Sequence, residues 1–189
     1  NMMGTTLVAA VIRGNDLTIG NVGDSRAYLI RANRATQVTR DHSLVAEQVA
    51  AGAMTEQEAR ESQHRNIITR ALGHRPRGDV DIFEIRLLAD DRLVLTTDGV
   101  HDYVEEEDLA RIVLSSPPEQ AARELVQTAL ARSSNDNVSA VVAWMMPAGA
   151  TLEPQPVEAE AAGRAAWLVP VLVLIGLLVL RVENFFVIS

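Results

Sequence analysis

The first part of the chain alternates short apolar runs with clusters of turn formers. Thr6–Ile12 (TLVAAVI) is β-branched and apolar and stops at Arg13-Gly14-Asn15-Asp16. Leu17–Val22 follows and stops at Gly23-Asp24-Ser25. Arg26–Arg31 (RAYLIR) follows in turn and stops at Ala32-Asn33-Arg34. Runs of this length and composition, bounded by Gly, Asn and Asp, read as strands. Connections this short leave no room for crossover helices. An antiparallel meander is therefore expected, with a fourth strand ending at Gln37–Thr39.

Beyond residue 42 the hydrophobic period lengthens. Ser43–Ala51 places Leu44, Val45, Gln48 and Val49 at helical spacing, with Gly52 as a stop. Thr55-Glu56-Gln57-Glu58 has the form of a capping box and predicts a short second helix. Ile82–Leu88 and Leu93–Thr97 read as strands joined by Ala89-Asp90-Asp91. Asp108–Leu114 reads as a helix with acids in its first turn, which suits the helix dipole. Ser116-Pro117-Pro118-Glu119 predicts the cap of a further helix, whose apolar face is Ala121, Ala122, Leu125, Val126 and Ala129. Val138–Trp144 (VSAVVAW) is the last strand. The expected fold class is mixed α/β (α+β), strands first and helices against them, over residues 1–146.

The character then changes. Residues 147–163 hold Pro147, Pro154, Pro156 and three glutamates without a basic residue, the composition of a solvated linker. Ala165–Leu180 is an uncharged run of sixteen residues, close to the length of about 17–20 that a membrane span needs. Arg164 and Arg181 can snorkel, and Trp167 and Phe185-Phe186 suit the two interfaces. A single transmembrane helix is expected over 164–182, followed by a short tail, 183–189. A buried core helix is the competing reading of the same run.

Charge and composition exclude several functions. The net charge of −8 argues against nucleic acid as a partner, because phosphate contacts need clustered Lys and Arg. The absence of cysteine removes disulfides, thiolate metal sites and a cysteine nucleophile. The chain begins at Asn1 rather than Met, as expected of a fragment.

What remains is a concentration of aspartate at strand ends. Asp98-Gly99 follows the apolar run Leu93–Thr97, with Asp102 close behind. Asp136-Asn137 precedes Val138–Trp144, and Asp24 lies in the break after Leu17–Val22. An Asp-Gly after a strand is ordinarily a turn, but loops at strand ends are also where sites gather. Two carboxylates ~5 Å apart repel by roughly 3 kcal/mol at an effective dielectric near 20, so either one takes up a proton or a cation sits between them. Oxygen-only ligands point to Mg²⁺ or Mn²⁺ rather than zinc. Glu105–Asp108 reads as the acidic first turn of a helix. His42 could act as an acid or ligand, though the triplet Asp41-His42-Ser43 suits a helix cap by Ser43. His64, His74 and His101 lack partners at metal or triad spacing. Arg65 and Arg70 have the chemistry to meet phosphate, but solvated or paired arginine is the favoured reading of both.

Spacing does not by itself bring these aspartates together. The segments GNVGDSRAYLI (Gly20–Ile30), TRDHSLV (Thr39–Val45), ITRALG (Ile68–Gly73), LTTDGVHD (Leu95–Asp102) and SNDNVSAVV (Ser134–Val142), in this order, resemble the PPM-type (type 2C) metal-dependent serine/threonine protein phosphatases. The resemblance covers about Gly4 to Met145. It implies a β-sandwich flanked by helices, with a two-metal centre at one edge where a metal-activated water attacks phosphorus and no enzyme nucleophile is used. Carried over by position, it implies that Asp98 and Asp136 are ligands of the Mn²⁺ or Mg²⁺ centre, and that Asp24 and Asp102 help to hold a third, weaker ion. The implied substrates are phosphoserine and phosphothreonine proteins, such as the targets of a serine/threonine kinase. The uncharged run makes a single-pass membrane protein the expectation, with the phosphatase domain on the cytoplasmic side, although one arginine at each end does not decide the orientation. The family's Asp-Gly-x-Gly-Gly motif, which supplies a bridging aspartate, does not occur in the sequence. The chain therefore corresponds to the C-terminal part of such a domain and is expected to lack half of the metal centre. A catalytically inactive, membrane-anchored pseudophosphatase that binds phosphoproteins is the alternative. A phosphohydrolase with an aspartate nucleophile would need Asp-x-Asp at the end of an early strand, and none is found there.

Overall fold

Two strands open the structure as a hairpin: β1 (Leu7–Arg13) and β2 (Asp16–Val22), antiparallel, with Val11 opposite Thr18. The computed structural model describes residues 4–73, 79–147 and 186–188. β3 (Arg26–Arg31) does not extend this hairpin, contrary to the expected meander. At Gly23 the backbone turns with φ at +107°, and the chain crosses to a second sheet. The reason lies in β3 itself. Ala27, Tyr28, Leu29 and Ile30 are all buried, so both faces need cover, and an end strand of a single two-faced sheet could not provide it.

The first sheet has the order β1-β2-β5, where β5 is Asp81–Arg86. The second has the order β4-β3-β6-β7-β8, with β4 (Arg34–Gln37), β6 (Arg92–Thr96), β7 (Ala140–Trp144) and β8 (Phe186–Ile188). All pairings are antiparallel. Leu17 and Ile19 of β2 meet Ala27, Leu29, Leu93 and Ala143 of the second sheet in one core. On the other face of that sheet, Tyr28, Ile30, Val94, Ala140 and Val142 form a larger core with two helices, α4 (Glu106–Ser115) and α5 (Pro118–Ala131). The architecture is thus an α+β sandwich with helices packed on the five-stranded sheet.

Three shorter helices complete the described residues. α1 (Leu44–Ala50) is capped by the Ser43 side chain, as expected. α2 (Glu56–Glu61) starts at the capping box of Thr55 and Glu58. α3 (Asp98–His101) is a single turn that was not expected, since four residues are too few to show a helical period. The cap expected at Ser116 is not made. Pro117 takes the N-cap position of α5 with no side-chain hydrogen bond, and Pro118 opens the helix. Phe186–Ile188, expected to be part of a tail, pairs with β7 as an edge strand. The expected linker lies almost wholly, and the expected transmembrane helix wholly, outside the described residues. Among the described residues no helix is long and apolar enough to cross a membrane.

Candidate active site

β6 and β7 lie side by side, Thr96 opposite Ala140. The loop before β7 therefore comes up against the end of β6. Thr97 joins the two. Its backbone N–H donates to the Ser139 carbonyl at 3.2 Å, its hydroxyl donates to the Asn137 carbonyl at 3.0 Å, and the Ser139 N–H donates back to the hydroxyl at 3.0 Å. Ser134 adds a hydrogen bond from its hydroxyl to the Gly99 carbonyl at 2.9 Å. The contact is so close that a β-carbon on Gly99 would fall 2.6 Å from the Asn137 carbonyl oxygen. Asp98 and Asp136 are the residues carried on the two sides of this seam.

Asp98, Asp102 and Asp136 line one small open cleft of about 60 Å³, together with Arg65, Asn66, Gly99 and Tyr103. Each of two carboxylates is steadied by the amide that follows it: Gly99 N–H donates to Asp98 at 2.9 Å and Asn137 N–H to Asp136 at 2.7 Å. Asp24 is not among the lining residues, but its charge and that of Asp98 repel. Burial, then Asp98, pushes the Asp24 carboxyl above its ordinary range. Burial also pushes Asp102 up, and Asp98 adds to it against the opposing charge of Arg26. The cluster is short of positive charge, which is the condition that a divalent cation relieves. Among the described residues no three carboxylate or imidazole groups converge closely enough to hold a metal ion alone. The oxygen-only donors fit Mg²⁺ or Mn²⁺ as part of a ligand set rather than as a closed cage.

One fixed cation lies beneath the acids. Arg26 grips Asp41 with Nε at 3.0 Å and a terminal nitrogen at 2.6 Å, and reaches the Tyr28 hydroxyl at 3.2 Å. Gln37 donates to the same Asp41 at 3.0 Å. Burial works against the Arg26 charge, but Asp41 and Tyr28 together outweigh it and hold the guanidinium above its usual value. His101, behind the cleft, shares a 3.0 Å hydrogen bond with the Thr96 hydroxyl. Burial, with Arg26 adding to it, holds this imidazole well below its ordinary value, so it is neutral.

The two arginines read together from the sequence part company in the structure. Arg65, read as solvated or paired, lies on the cleft with Asn66. Arg70 is paired, with Asp81 at 3.1 Å. Arg65 arrives there because residues 43–68 leave the sandwich as an excursion holding α1 and α2, closed at its base by the Ser43–Ile68 bridge. Asn66, Tyr103 and Thr97 were not singled out from the sequence. Only Thr97 carried a local signal, as the residue before Asp-Gly at a strand end.

A family model for protein phosphatase 2C matches residues 1–48 and 75–138, more than half of the chain. The chain belongs to the protein phosphatase 2C family. It is 41% identical over 115 residues to the serine/threonine phosphatase stp of Listeria welshimeri, covering 61% of this chain and 46% of that one. The crystal structure of the Mycobacterium tuberculosis serine/threonine phosphatase PstP/Ppp superposes with a TM-score of 0.73 at 34% identity, covering 77% of this chain and 61% of that one. A catalytic domain of PstP in complex with two manganese ions superposes with a TM-score of 0.65 at 35% identity, covering 74% and 57%. The chain spans about half the length of the Listeria relative.

Proposed function

We propose that this chain carries the C-terminal part of a protein serine/threonine phosphatase that depends on Mn²⁺ or Mg²⁺. The supporting observation is the cleft lined by Asp98, Asp102 and Asp136 together with Arg65 and Asn66. It combines hard anionic oxygens, suited to a divalent ion, with a guanidinium and an amide, suited to phosphoryl oxygens. Asp98 and Asp136 are the ligands of the principal centre, and Asp24 and Asp102 assist a weaker one. A bound divalent ion supplies Lewis acidity toward phosphoryl oxygens and lowers the pKa of a water. Arg65 presents a fork of N–H donors that matches phosphate, and Asn66 adds an amide beside it. The amides of Gly99 and Asn137 hold the carboxylates in place before any ion arrives. In this reading a water, rather than a side chain of the enzyme, attacks phosphorus, and the sequence holds no cysteine that could serve instead.

The substrates in this reading are phosphoserine and phosphothreonine proteins. The Listeria and Mycobacterium relatives, named as serine/threonine phosphatases, support it. The remaining ligands of the centre come from an Asp-Gly-x-Gly-Gly segment, which this sequence does not contain. The uncharged run within 164–182 anchors the protein, with the phosphatase domain on the cytoplasmic side.

Hydrolysis of an aryl phosphate, with Mn²⁺ present, tests the assignment in a form carrying such a segment ahead of Asn1. Asp98→Asn and Asp136→Asn should each lower turnover by about 10²-fold or more, because an amide keeps the size but not the charge that holds a hard cation. Asp24→Asn should chiefly raise the Mn²⁺ concentration needed. Full turnover by Asp98→Asn would remove Asp98 from the metal centre.

A further inference from the structure

His42 is buried, 3% exposed, and belongs neither to the cleft nor to either apolar core. Its contacts join three parts of the fold. The Gly23 N–H donates to its Nδ1 at 3.1 Å, while its own backbone N–H donates to the Gly23 carbonyl at 2.9 Å. Its carbonyl accepts from the Thr69 N–H at 2.8 Å, and Leu44 N–H donates to the Ile67 carbonyl at 2.9 Å. Its Nε2 lies 3.2 Å from a carboxylate oxygen of Asp81, poorly aligned for a hydrogen bond but within ion-pair range. Asp81 is in turn held by Arg70.

A nitrogen that accepts a hydrogen bond carries no proton. The Gly23 amide therefore fixes the neutral ring with its proton on Nε2, facing Asp81. Gly23 is the residue before Asp24, and its φ of +107° makes the turn sharp. We propose that His42 is the positioning residue of this site: it sets the Gly23–Asp24 turn, and with it the Asp24 carboxylate, against the base of the excursion that carries Arg65 and Asn66. The inference rests on reading Asp24 as a cation ligand. The ring orients the Asp24 turn and the main chain of the same residue closes the excursion, so the Asp24 turn and the segment that brings Arg65 and Asn66 to the cleft share one reference point.

Two amides separate the ring nitrogens. The side-chain oxygen of Asn can stand where Nδ1 stands, and the amide nitrogen of Gln where Nε2 stands. His42→Asn should keep the bond from Gly23, and His42→Gln should lose it. Amide exchange at Gly23 in metal-free protein is expected to accelerate about tenfold or more in His42→Gln and to stay within about threefold of wild type in His42→Asn. Mn²⁺ binding, followed by electron paramagnetic resonance, should weaken in His42→Gln and recover in His42→Asn. Unchanged Gly23 exchange in His42→Gln, or equal Mn²⁺ affinity in the two variants, overturns the inference. Imidazole ¹⁵N shifts of the wild-type chain give a second reading that needs no variant, and a proton on Nδ1 would overturn it as well. The metal reading fails separately: Asp98→Asn with wild-type Mn²⁺ affinity removes it, while the exchange result still decides whether His42 sets the turn.

Discussion

A methyl group at position 99 has nowhere to go. It would lie 2.6 Å from the Asn137 carbonyl oxygen and 3.3 Å from the Val138 Cα, both main-chain atoms that no rotamer change can move. Gly99→Ala should therefore separate the two loops that bring Asp98 and Asp136 together. The expected cost is roughly 1–3 kcal/mol in urea denaturation, with weakened Mn²⁺ binding in the same variant. Asp91 makes a different prediction. Its side chain is 2% exposed, accepts from the Leu88 N–H at 2.7 Å and pairs with Arg31 at 2.6 Å. Burial pushes this carboxyl up, but Arg31 and the Leu88 amide outweigh it and hold it below its ordinary range. A folded pKa below the unfolded one, about 3.9, gives stability that is complete above that value and lost as pH falls through the folded pKa. Asp91→Asn should cost about 1–3 kcal/mol near neutral pH, the lower end favoured because Arg31 is partly solvated. The gap to wild type should close as pH drops below about 4, which denaturation midpoints across pH will show.

At the scale of elements, α5 meets the larger core along a single stripe. Ala121, Ala122, Leu125 and Ala129 lie on one stripe of the helix and are all fully buried. Three alanines let the helix approach the second sheet closely, and Leu125 fills the space that remains. Leu125→Ala should cost about 2–5 kcal/mol, read from thermal or urea unfolding, with the Mn²⁺ affinity of the folded protein unchanged. This stripe was legible because fourteen residues complete several helical turns. α3 was not legible, since Asp98–His101 forms a single turn fixed by the seam beside it. The place of Arg65 was not legible for a related reason. Residues 43–68 form an excursion whose position over the cleft depends on its base at His42–Leu44 and Ile67–Thr69, not on any pattern within it.

For the whole molecule, the described residues make a sandwich covered by helices on one side. Leu7, Val11 and Ile82, on the outer face of the three-stranded sheet, are 50%, 51% and 59% exposed. The anchoring proposal belongs to this scale, because it concerns where the phosphatase domain is held. Cells producing the full chain and a version stopped at Gly163 should differ on fractionation, the longer form pelleting with membranes and the shorter remaining in the supernatant. Both forms in the supernatant would remove the anchor.

The sequence alone determined most strands, the Ser43 cap, the capping box of α2, the apolar stripe of α5 and the placing of Asp98 and Asp136 at strand ends. Each of these is a local matter of period, turn chemistry or ordered motifs, and local interactions are written into consecutive residues. Tertiary structure alone decided that β2 and β3 part into different sheets, that Arg65 reaches the acids, and that His42 ties the Gly23 turn to the main chain at Thr69. These depend on which surfaces must be buried together and on backbone groups far apart in the chain. Gly23 and His42 are nineteen positions apart, yet the amide of one selects the tautomer of the other. No spacing rule reports such a bond, because it exists only once both sheets have closed around it.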